Sequence, residues 1–347
     1  MNKGKKVHLE LLRIIAVYLV ILTHTGNRGY TYFTTLQPSW QYYASMTIPV
    51  LCQIAVPIFY MISGAVLMGK DESPGHILRY RLPRHVLVLV LASAMMYVYY
   101  GVRSESFVSI RDFIRSLYTK NIIIPYWFLY SYIGYLLVLP FIRRMVRGMK
   151  DREWNYLFGV YLLFQGIVPV VEYLFFNGRV NMNPSLDIRM VTTDVLVFPA
   201  LGWYLENRRL SRRELLALWL GAVTAITVTV FMTHYKILMT GELEESQVGT
   251  FYKTMRLLPA AAVYSAVKML PELPHRVKSA ITVLGGCTFG VYLIEQILRE
   301  SLYPLCDRLF NIIPPPAGTM IYAALVFFFC IPFVCAIKKT PFFKQLI

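Results

Sequence analysis

Apolar residues follow one another along this chain in runs of about twenty, the length at which a helix crosses a hydrocarbon core. Polar residues gather in the short intervals between the runs. A sliding window marks about ten runs, at residues 8–26, 45–68, 84–101, 122–142, 154–176, 190–206, 213–233, 251–270, 280–302 and 317–337. The sixth is the weakest, being short and containing Asp194. The predicted fold class is therefore all-α, a polytopic integral membrane helical bundle with about ten transmembrane helices. The longest intervals, near 26–44 and 69–83, leave no room for a soluble domain. One transmembrane domain over residues 1–347 is expected, with no clear internal repeat.

Composition agrees with the pattern. Hydrophobic residues make up 56% of the chain and charged residues 16%, against about 25% charge in a soluble domain. Thirty-five bases face 19 acids, for a net charge of +16. In a soluble protein this excess would suggest nucleic acid. Here no basic run is interleaved with a stacking platform, so nucleic acid is not an expected partner. The bases instead collect in alternate intervals, about two to one, as the positive-inside rule requires when both termini are cytoplasmic. The interval with Arg103, Arg111, Arg115 and Lys120 is discordant, falling on the outer side. The first run resembles a signal peptide. Yet no small-residue cleavage site follows His24, and Glu10 and Arg13 lie within its helix, so it is read as retained. Five cysteines show neither a CxxC pair nor metal-ligand spacing. No metal is expected.

Ionisable residues inside apolar runs are costly and mark candidate sites. Arg13 and His24 stand eleven residues apart on the first run. That is three helical turns plus roughly 20°, so both share a face about 16 Å apart along the axis. Glu10 lies one turn below Arg13 and can pair with it. Two readings stay open: a polar stripe serving a long ligand threaded through the bilayer, or a snorkelling arginine and an interfacial histidine. Four further segments carry candidate chemistry. Ser63-Gly64 suits close helix packing or a hydroxyl contact. Arg79-Tyr80-Arg81-Leu82-Pro83-Arg84 is a basic cluster at a helix entrance, suited to phosphate or to anchoring topology. Pro125 to Tyr130, with Trp127, is an aromatic patch of the interfacial kind. Thr288 to Glu295 puts Tyr292 and Glu295 on one helical face, and the carboxylate needs a partner there.

Taken in order, these segments resemble acyltransferase family 3, the bacterial integral membrane acyltransferases. The family's Arg, ten residues, then His on the first helix reads Arg13 to His24. Its Phe-x-x-x-Ser-Gly segment matches Phe59 to Gly64, and its basic segment matches Arg79 to Arg84. Its Trp-Phe/Tyr-Leu segment matches Trp127-Phe128-Leu129, its Gly-x-x-Leu matches Gly202 to Leu205, and its late Phe-Gly-x-Tyr-Leu-Ile matches Phe289 to Ile294. The resemblance implies transfer of an acyl group, usually acetyl, from cytoplasmic acyl-CoA to a hydroxyl of an outward-facing glycan or glycolipid. It implies a multi-pass protein of a bacterial plasma membrane, of the short membrane-only type. His24 would be the general base, Arg13 with Glu10 would support the donor, and Ser63, Trp127 and the basic cluster Arg79, Arg81 and Arg84 would line its site. Tyr292 and Glu295 would join His24 in catalysis. Two positions depart from the pattern. Glu295 stands where many members carry His, and Pro125-Tyr126 stand where many carry His before the Trp motif. The competing class is a transporter or flippase for a glycan lipid or small anion.

Overall fold

The computed structural model describes residues 6–105, 109–176, 182–183, 185–186, 188–240 and 255–346. Among these residues every regular element is helical. The α-helices of six or more residues are α1 (Val7–Thr23), α2 (Trp40–Cys52), α3 (Ala55–Leu67), α4 (Leu82–Arg103), α5 (Ile110–Thr119), α6 (Trp127–Gly148), α7 (Asp151–Leu162), α8 (Val168–Phe176), α9 (Asp194–Asn207), α10 (Arg212–Thr240), α11 (Leu257–Lys268), α12 (His275–Ser301), α13 (Tyr303–Phe310), α14 (Pro315–Ile337) and α15 (Pro341–Leu346). Single π-helical turns, Ile77–Arg81 and Leu163–Ile167, lead into α4 and α8.

Among the described residues, length and composition mark seven helical stretches as able to cross a membrane: Trp40–Leu67, Pro74–Arg103, Ile124–Gly148, Asp151–Phe176, Arg212–Met239, His275–Ser301 and Pro315–Ile337. The sequence suggested about ten. The other three expected runs hold shorter helices, α1, α9 and α11, of 17, 14 and 12 residues. At 1.5 Å per residue, α9 and α11 cover roughly 21 and 18 Å of a core about 30 Å thick. The discordant basic interval contains α5, capped by the Ser109 side chain accepting from Asp112 N–H, with none of its residues buried. A short helix carrying Ile110, Phe113 and Ile114 beside Arg111 and Arg115 has the two-faced character of interfacial helices.

The chain divides into two compact units, one of residues 1–67 with 149–337, the other of 68–148 with 338–347. In the larger unit α3 packs on α9, α1 on both α3 and α12, and α12 on α14. Val17 and Ile21 of α1, Val291 of α12 and Tyr322 and Val326 of α14 meet in one of its core clusters, all fully buried. In the smaller unit α4 packs against α6 and α15.

Glycine decides the closest crossing. A Cβ on Gly64 of α3 would stand 1.9 Å from the Pro199 carbonyl oxygen of α9, and one on Gly202 of α9 would stand 2.0 Å from that of Met61. The two glycines therefore let the backbones touch reciprocally, as small residues do between membrane helices. Gly64→Ala and Gly202→Ala should each force the helices apart, at a cost of about 3 kcal/mol or more, the upper end for overpacking. Gly134, with open space around its Cβ position, is the control. Thermal unfolding of the purified proteins checks this. Equal midpoints for Gly202→Ala and Gly134→Ala would refute the crossing.

Candidate functional site

The first helix carries a charged pair at one end and an imidazole at the other. Glu10 is 2% exposed, and its Oε1 accepts from Arg13 Nη1 at 2.5 Å. This is the one-turn pairing that the spacing allows. Glu10 fits there because the facing residue of α12 is Gly285, whose Cβ would lie 2.6 Å from the Glu10 side chain. The Glu10 Oε2 has no partner among the described residues. Below this pair, Glu206 of α9 gathers Lys6, His8 and Tyr264, at 2.6, 3.1 and 2.8 Å.

The helix ends at Thr23, so His24 caps it instead of lying inside it. Its backbone N–H still bonds the Val20 and Ile21 carbonyls. The turn that follows is fastened. Thr25 Oγ1 donates to the Leu22 carbonyl and accepts from Tyr30 N–H, Arg28 grips Asp307 of α13, and Thr319 of α14 donates to the Arg28 carbonyl. The imidazole is thus carried on a rigid corner.

Its Nδ1 lies 2.6 Å from Oε1 of Glu295 on α12. Glu295 is fully buried, and its Oε2 accepts from Arg299 Nε at 3.3 Å, one turn further on. Arg299 is in turn held by Tyr303, 2.6 Å from Nη1, and by Gln296. Tyr322 of α14 donates to the Arg299 carbonyl at 2.6 Å. His24 Nε2 has no hydrogen-bond partner among the described residues. A carboxylate only accepts, so a proton on Nδ1 leaves Nε2 as a free lone pair, the arrangement of a base oriented by an acid.

Arg299 falls within the expected run 280–302, and the structure places it inside α12, 4% exposed. Its four-residue spacing from Glu295 was the available signal. Other flagged charges pair structurally. Asp194 at the start of α9 bonds Arg256 at 2.5 Å and Tyr161 at 3.1 Å. Tyr292 is buried and stacks on Phe289 of its own helix. Ser63 Oγ donates to the Phe59 carbonyl one turn back.

The remaining candidates belong to the smaller unit. Trp127 starts α6, exposed and edge-on to Phe128. Arg79 is exposed, with its guanidinium over the Tyr80 ring. Arg84 donates to the Leu346 carbonyl at 3.2 Å. Arg81 is committed to Glu72, which also accepts from Arg143 at 2.9 Å. The Arg81 guanidinium, opposed by partial burial and joined by Arg143, holds the Glu72 carboxyl down from 4.5 to about 2. A depressed folded-state value stabilises the fold fully above the ordinary pKa, and the contribution is lost as pH falls from about 4.5 through about 2. Glu72→Gln should flatten that part of the stability profile. Unfolding midpoints between those pH values test it, and parallel curves for the two proteins would contradict the pairing. Among the described residues no three His, Cys, Asp or Glu side chains cluster as metal ligands.

A family profile described as an acyltransferase domain, that of acyltransferase family 3, matches residues 7–335. The chain belongs to acyltransferase family 3. Comparison with curated proteins and with solved structures returns no match. Family membership and the long apolar helices together make the chain a multi-pass membrane acyltransferase. Within this acyltransferase two of the ordered segments meet: the Phe59–Gly64 segment packs on the Gly202 segment through the reciprocal glycine contact. The late segment leads directly into Glu295, the partner of His24.

Proposed function

We propose that this acyltransferase moves an acyl group, acetyl in the first instance, from cytoplasmic acyl-CoA to a hydroxyl of an outward-facing glycan or glycolipid, in a bacterial plasma membrane. The observation that carries this reading is the contact between His24 Nδ1 and a buried Glu295, which leaves Nε2 open. Nε2 takes the acceptor's O–H proton as its oxygen attacks the thioester carbonyl. The C–O bond forms, the tetrahedral intermediate collapses with cleavage of C–S, and the imidazolium returns the proton to the departing thiolate. Glu295 holds the imidazole in the required tautomer and stabilises its charged form, and Arg299 keeps that carboxylate compensated. Arg13, with donors left beyond its bond to Glu10, supports the donor thioester or its pantetheine arm. Arg79, Arg81 and Arg84 supply positive charge for the donor's phosphates.

The deciding experiment is acyl-CoA binding to the detergent-purified protein. It compares wild type with Arg13→Ala and with the Arg79, Arg81 and Arg84 triple alanine variant. Micromolar binding that both variants lose supports the donor site. No binding by well-folded wild type would overturn the acyl-CoA reading and leave an acyltransferase that takes its acyl group from another donor.

A further inference from the structure

The smaller unit contains a cavity of about 550 Å³ that the proposed chemistry does not use. Its walls are the turn from Lys70 to Leu78 and the second half of α6. The lining changes character along the helix. Its apolar lining includes Leu78, Leu137 and Phe141, which are 52%, 48% and 73% exposed and belong to membrane-crossing stretches. Such side chains at such depths are suited to acyl chains. Seven residues further along α6 than Leu137, about 10 Å by helical rise, the lining becomes basic, with Arg144 and Arg147 opposite Lys70.

Four bases line this cavity against two acids, Asp71 and Glu72. The acids are already answered. Glu72 is bound by Arg81 and Arg143, and Asp71 by Arg147 at 3.2 Å. Lys70 Nζ and the Arg144 guanidinium have no side-chain partner among the described residues. Two cations therefore face a cavity whose other wall is apolar. This end of α6 is the one that the charge bias assigns to the cytoplasm, where the leaflet carries anionic lipid.

We propose that this cavity binds an anionic phospholipid, with the headgroup phosphate between Lys70 and Arg144 and an acyl chain along Leu137 and Phe141. The ligand chemistry is that of any phosphate; the apolar wall assigns it to a lipid instead of a soluble ion. The proposal does not rest on the acyl-transfer reading, since none of the four residues it uses is given a part there.

The test uses the full-length protein in mild detergent and counts bound lipid by native mass spectrometry, with dioleoyl phosphatidylglycerol or phosphatidylcholine as the probe. Phosphatidylglycerol should bind at least about fivefold more tightly, since each base near the headgroup adds about that much. Lys70→Gln with Arg144→Gln should weaken it about thirty-fold. Lys70→Arg with Arg144→Lys keeps both charges and should retain it, which separates lost charge from lost fold. Equal binding of the two lipids, or unchanged phosphatidylglycerol affinity in the neutral variant, would overturn the proposal. Displacement of the lipid by millimolar inorganic phosphate or coenzyme A would also overturn it, by assigning the site to a soluble anion.

Discussion

His24→Ala should lower acyl transfer by about 10²–10⁴-fold, the range a positioned general base contributes, while membrane insertion and acyl-CoA binding persist. The separation follows from geometry. The helix ends before His24, and the corner beyond it is held by Thr25, Arg28 and Thr319 through contacts that do not involve the imidazole. Removing the ring deletes the open Nε2 and leaves the corner fastened. Activity should be measured with labelled acyl-CoA and an outward hydroxyl acceptor in proteoliposomes, beside binding to the same preparation. Full transfer by the variant would exclude His24 as base. Loss of insertion would make it a structural residue.

Glu295→Gln should act on both chemistry and stability. For chemistry, the amide presents a donor as well as an acceptor, so the proton on Nδ1 is no longer specified and the imidazolium loses its counter-charge. Transfer should fall by about 10²-fold or more. For stability, Arg299 is left 4% exposed with no carboxylate. Breaking one side of a buried pair costs about 3–5 kcal/mol. The two effects separate in the double variant Glu295→Gln with Arg299→Met. It should regain most of the stability, since no uncompensated charge remains, and none of the activity. A double variant that recovered transfer would show that Glu295 serves only to neutralise Arg299. A shifted pH profile in Glu295→Asp, whose shorter side chain lengthens the contact to Nδ1, would support the positioning role.

Much of this site was legible where its parts lie close in sequence. The Arg13–His24 spacing and the one-turn Glu10–Arg13 pair follow from helical period alone. Glu295 announced itself as a carboxylate in need of a partner. What period does not carry is who that partner is. His24 and Glu295 are 271 residues apart, and only the packing of α1 on α12 joins them. Arg299 lies in the last turn of α12, and the bond between its Nε and Glu295 Oε2 needs that turn to be helical. The hydropathy runs around α9 and α11 are longer than these helices, which span 14 and 12 residues among the described ones. Gly64 was visible as a site of close approach, but its partner Gly202 was not, because the contact joins two helices far apart in sequence.

The pairing within α1 and within α12 bears on how the chain enters the bilayer. Glu10 brings Arg13 with it, three residues away, and Glu295 brings Arg299, four residues away. Each helix can therefore partition as a locally neutral segment, without waiting for another helix to cancel its charge. At about 5–20 residues per second of synthesis, the 271 residues between His24 and Glu295 correspond to roughly 15 to 55 s. During that interval the imidazole-bearing end of α1 exists without its carboxylate. The His24–Glu295 contact can form only once α12 has been made, so the base proposed here has no carboxylate to orient it until nearly all of the chain has been synthesised.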